Sequence, residues 1–131
     1  MKVAVWDTYV KRKDGSVIHF DILVDASLDD HAQILEYGKE YLRSIGEPEA
    51  VISTNECQFC HMEEPTEKVL QDIARQHYHI VELHEIPAEL PDNPTRLDLI
   101  LHLRGHYEKY RFADLRGITE ERVRELLASV Q

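Results

Sequence analysis

The 131 residues carry 15 Lys and Arg against 25 Asp and Glu, a formal charge of −10, and 43% of them are hydrophobic. That is enough apolar material for one domain with a real core, and two cysteines cannot build a disulfide framework. The acid excess sits in residues 1–94, with 8 basic against 19 acidic side chains, whereas residues 95–131 carry 7 against 6. Such a charge repels phosphate backbones, so nucleic acid is not an expected partner. No apolar run reaches the length of a membrane span or a signal peptide, so the chain is expected in the cytoplasm with its thiols reduced.

Residues 2–10 and 16–25 both read as extended, and Lys13-Asp14-Gly15-Ser16 between them supplies the Asp-Gly turn of a hairpin. In the second run Ile18, Phe20, Ile22 and Val24 alternate with His19, Asp21 and Asp25, which predicts one core face and one polar face. Asp7 in the opposing strand joins His19 and Asp21 on the polar face, read here as solvated decoration of an outer sheet surface. Ser27 with Asp30 resembles a capping box, and Leu28, Ala32, Leu35, Leu42 and Ile45 follow at helical spacing up to Gly46 and Pro48. Gly38 within that helix is expected to mark close contact with a neighbouring element, since glycine costs about 1 kcal/mol against alanine there. Tyr37 and Tyr41 form a second stripe, a flank of the core or a subunit contact.

Pro65 then opens a second helix with Val69, Leu70, Ile73 and Ala74 on one side, and residues 77–84 read as a closing strand. Pro87, Pro91 and Pro94 mark residues 87–94 as a linker. Thr95 with Asp98 caps a helix to about residue 109. A last helix starts at Thr119, with Ile118 and Val123 at hydrophobic-staple positions. The predicted class is α+β. A small, mostly antiparallel sheet covered on one side by two helices occupies residues 1–86, and a two-helix extension over 95–131 docks on it or on another subunit.

The chemistry concentrates in Cys57-Gln58-Phe59-Cys60-His61. The pattern matches the Cys-x-x-Cys-His of c-type haem attachment, but that occurs in exported proteins and no export signal is visible. A redox disulfide needs the motif at a helix N-terminus, which Thr54 or Asn55 would cap. Metal binding is decided by geometry. A helical turn brings Cys57, Cys60 and His61 to one side, where two thiolates and an imidazole suit zinc, with His19 or His79 as further ligands and His77 and His84 also at hand. A strand puts Cys57 and His61 on one face and Cys60 on the other. The cysteines then read as small buried hydrophobes. His102 and His106, four apart on a predicted helix, have ligand spacing that is equally ordinary for an exposed face.

The blocks Val3-Ala4-Val5-Trp6-Asp7-Thr8-Tyr9-Val10, Lys13-Asp14-Gly15, His19-Phe20-Asp21-Ile22-Leu23-Val24 and Glu56-Cys57-Gln58-Phe59-Cys60-His61 together resemble the small bacterial family known as domain of unknown function twenty twenty-four, over about residues 1–85. The resemblance implies a compact α+β domain and no established activity. The leading expectation is zinc or another thiophilic metal on Cys57, Cys60 and His61 joined by His19 or His79. The alternative is a metal-free module that self-associates through its C-terminal helices. An enzyme would need a pocket joining Asp7, His19 or Asp21 to the thiols.

Overall fold

A computed structural model describes all 131 residues. The elements run β1 (Val3–Lys11), β2 (Val17–Asp25), α1 (His31–Ser44), β3 (Cys57–Glu63), α2 (Glu67–Gln76), β4 (His79–Ile86), α3 (Arg96–His106), a 3₁₀ turn (Glu108–Tyr110) and α4 (Glu120–Val130). The four strands form one antiparallel sheet in the order β3-β1-β2-β4, so the hairpin is its centre and the cysteine segment an edge strand.

The sheet buries both faces, a departure from the predicted one-sided cover. Even-numbered residues Ala4, Val10, Ile18, Phe20, Ile22 and Val24 pack with Ile34, Tyr41 and Leu42 of α1. On the other face Val3, Val5 and Leu23 pack with Val69 and Ile73 of α2, while Tyr9, Val17 and Ile86 meet Leu101 of α3 and Phe112 beyond it. The strict alternation in β2 is thus not an inside-and-outside pattern. It separates an aliphatic face under α1 from a face whose two ends are apolar and whose middle is polar.

Local chemistry sets the ends of the helices. Asp30, not Ser27, caps α1 by accepting the Gln33 N–H, because the Ser27 hydroxyl is engaged by Asp25. Thr66 caps α2, and His77 ends it in the left-handed region at φ 78°, which moves the strand start to His79 and takes His77 off the strand face. Thr95 and Asp98 form the reciprocal capping box of α3, which ends at His106, and Thr119 caps α4. Gly38 does mark a close approach: a Cβ there would lie 2.8 Å from Ile52 Cδ1 and 3.2 Å from Ile22 Cδ1. Gly105 does the same for α3, where a Cβ would come within 2.9 Å of Ile86 Cδ1. Tyr41 donates its hydroxyl to Glu82 and Tyr37 stacks on Tyr78, so the tyrosine stripe is spent inside the chain. The tail has a small core of its own, Leu99, Leu103, Leu115, Val123 and Leu127. No helix is long and apolar enough to cross a membrane.

Candidate functional site

Between α2 and α3 the second face of the sheet is floored by Asp7, His19 and Asp21. Asp7 and Asp21 are directly opposite each other in the β1–β2 register, a like-charge pair that is destabilising unless something neutralises it. One ligand atom from each of the three side chains lies within 4.8 Å of the others. His19 is nearly buried, stacked on Tyr9 at 4.1 Å between ring centres. Its Nε2–H donates to Asp7 Oδ1 at 2.5 Å, and its Nδ1 lies 3.2 Å from Nδ1 of His84, where one ring donates and the other accepts. No Lys or Arg pairs with Asp7 or Asp21. Burial, then the charge and hydrogen bond of Asp7, push the Asp21 carboxyl up to about 7, against which the His19 and His61 rings pull only weakly.

Both edge strands are irregular beside this pair. Against β1, Val5 faces His61 and Trp6 faces Phe59, so Cys60 is an extra residue. Against β2, His19 faces His84 and Phe20 faces Glu82, so Leu83 is extra. A bulge puts two successive side chains on one side of a strand. In β3 it turns both Cys60 and His61 toward the Asp7 face, with His61 Nδ1 3.2 Å from Cys60 Sγ and His61 Nε2 donating to Glu63 at 2.9 Å. In β4 it brings His84 to His19, at the side of an open cleft of about 430 Å³ that reaches Tyr41 and Glu82.

The bulge also corrects the expected ligand set. The cysteine segment is a strand, and Cys57 alone faces the α1 core: it is fully buried, its sulfur accepts the Thr8 hydroxyl at 3.4 Å, and burial pushes its thiol up to about 11. Cys60 is exposed on the opposite face, its thiol pushed up by partial burial and then by the charges of Asp7, Asp21 and Glu63. The two thiols therefore do not converge, and no disulfide joins them. A strand without the bulge would have left His61 with the opposite partner. His79 is drawn away to α2, donating Nδ1–H to Asp72 Oδ2 at 2.6 Å, beside Lys68 and Arg75 on the same carboxylate. Of the five expected ligands, His19 stands in the acidic floor, Cys60 and His61 at its rim, and Cys57 and His79 elsewhere. Asp7 and Asp21, read as decoration, are its centre. Their signal in the sequence was the hairpin register itself, which sets two acids opposite each other next to a histidine.

The largest cleft, about 680 Å³, lies at the far end of the hairpin and reaches the tail at Gly105 and Arg111. Its Arg12 and Lys13 already pair with Glu47 and Glu49. It adds volume without the converging side chains of the floor.

Residues 1–83 match the family described as domain of unknown function DUF2024, which is nearly two thirds of the chain. The chain belongs to the DUF2024 family. Protein NE1680 from Nitrosomonas europaea, solved by NMR as a structural-genomics target, is similar to this DUF2024 chain at 42% identity and a TM-score of 0.56, over 64% of this chain and 96% of that one. No curated protein matches. The acidic floor and both bulges except the Leu83–His84 corner lie well inside the family region, and the linker and tail lie beyond it.

Proposed function

We propose that this DUF2024 chain binds a divalent metal ion on the floor formed by Asp7, His19 and Asp21. The observation that carries the reading is the directly opposed, half-buried carboxyl pair beside a buried imidazole, with no Lys or Arg to balance it. Only a proton or a metal ion can neutralise such a pair, and carboxylate oxygens with an imidazole nitrogen are ordinary ligands for divalent ions. A cation entering there takes the place of the proton on Asp21, and His19 ligates it through Nε2 once the ring proton stands on Nδ1, where His84 Nδ1 accepts it. Because all three ligands stand on the two central strands, they are held by the sheet ladder, which suits a preformed site.

Metal analysis of the purified chain, with calorimetric titration of zinc into EDTA-treated protein, tests the reading. One equivalent bound by the wild type and by Cys57→Val, and lost in Asp7→Asn and His19→Ala, is the expected result. No saturable binding, or binding untouched by the last two substitutions, overturns it. Self-association is a second reading, favoured by the outer edge of β3, where Phe59 and Met62 are exposed beside an unpaired strand edge. Light scattering on the full chain tests it: a dimer that Phe59→Lys converts to monomer supports it, and a monomer at all concentrations removes it.

A further inference from the structure

Cys60, His61 and Met62, the residues at and just after the bulge in β3, are all exposed, so their side chains add nothing to the buried core. What the bulge accomplishes is chemical, since it turns a thiol and an imidazole to the side on which the acidic floor lies. Resting on the metal reading above, we infer that the ion is a borderline transition metal such as zinc or cobalt, not magnesium or calcium, with Cys60 supplying a sulfur ligand and His61 a second nitrogen.

Three features support this. Cys60 Sγ and His61 Nδ1 already lie 3.2 Å apart, and the Nε2–H of His61 is held by Glu63, so the lone pair of Nδ1 is left facing the thiol. A carboxylate on the far nitrogen of an imidazole is the usual outer support of a metal-bound histidine, fixing tautomer and ring direction. The pair also stands on the Asp7 side of the sheet: His61 faces Val5, two residues from Asp7 along β1 and on the same face. Cys60 and His61 stand outside the 4.8 Å group, on an edge strand hydrogen-bonded to the central strand that carries Asp7. On binding, the S–H bond of Cys60 breaks, its proton passes to water, and the sulfur electron pair goes to the metal. Two nitrogens, a sulfur and carboxylate oxygen then suffice for a four-coordinate site, and thiolate with imidazole selects zinc or cobalt over the hard ions, which take oxygen.

Cobalt(II) titration of the full chain, followed by absorption, tests this separately from the metal reading. The expected result is a near-ultraviolet thiolate-to-cobalt charge-transfer band in the wild type and in Cys57→Val. In Cys60→Ser the band disappears and cobalt binds at least about tenfold more weakly. His61→Gln should weaken binding similarly while keeping the band, and excess magnesium should not displace cobalt. Circular dichroism confirms that each variant is folded, and both substituted side chains are exposed. Cobalt bound through Asp7 and His19 with no charge-transfer band, or displaced by magnesium, overturns the sulfur inference and leaves the metal site standing. Absence of any cobalt binding removes both.

Discussion

Asp21 shows how one side chain links the fold to pH. Its carboxyl titrates near 7 in the folded chain, whereas an unfolded aspartate titrates near about 3.9, so the folded state holds the proton more tightly. This contribution to stability is fully present below about pH 4, is lost as pH rises toward 7, and stays lost above. In EDTA, the melting temperature of the wild type should therefore fall between about pH 4 and 7, and Asp21→Asn should flatten that fall. After discounting for water at the half-exposed site, the gain for the variant at pH 8 is on the order of 1–2 kcal/mol. A wild-type curve as flat as that of the variant would contradict the account. Asp72 has the opposite sign. His79 first, then Lys68 and Arg75, hold its carboxyl below the usual range, so its contribution is present at neutral pH and is lost in acid as the pH falls through the folded value. Asp72→Asn should lower the melting temperature at pH 7 and shrink the acid-induced drop, as a pair of melting series would show.

At the level of elements, two glycines and one threonine decide how helices sit. Gly38→Ala replaces a poor helix former with the best one, yet its Cβ would press on Ile52 and Ile22, so the expected result is a loss of stability. A denaturant midpoint that rises would show that α1 shifts freely on the sheet. Thr95→Ala removes the cap that accepts the Asp98 N–H and should cost about 1 kcal/mol, seen first as faster amide exchange at the start of α3. The edge strands carry the opposite lesson. In β3 the residue type says little, because Cys, Phe and His suit a strand, a turn or a helical end. One additional residue against β1 then decides which side chains meet.

The whole molecule is a two-faced sheet with a tail anchored at one end. Leu103 is fully buried in the cluster that α3 and α4 share, and Leu103→Ala should cost about 2–5 kcal/mol. Hydrogen exchange should show the loss in α3 and α4, with β1 and β2 still protected; equal loss throughout would mean that tail and sheet unfold as one unit. A bound metal should stabilise the sheet by mass action, about 2.7 kcal/mol at a hundred times its dissociation constant, and less in His19→Ala.

Much of this was legible in the residues alone. The hairpin, its turn, the caps at Thr95 and Thr119 and the α+β class follow from short-range rules, because turns, caps and alternation involve residues a few positions apart. The resemblance to the family rested on blocks that carry Asp7, His19 and Asp21, which the fold sets together, and also Trp6, which stands on the opposite face against His31 and Phe59. What only the tertiary structure decided was the covering of the second face by α2 and α3, the bulges in β3 and β4, and the parting of Cys57 from Cys60. Those depend on which strand pairs with which, and on a register slip of a single residue, which reverses the side of the sheet on which every following side chain stands.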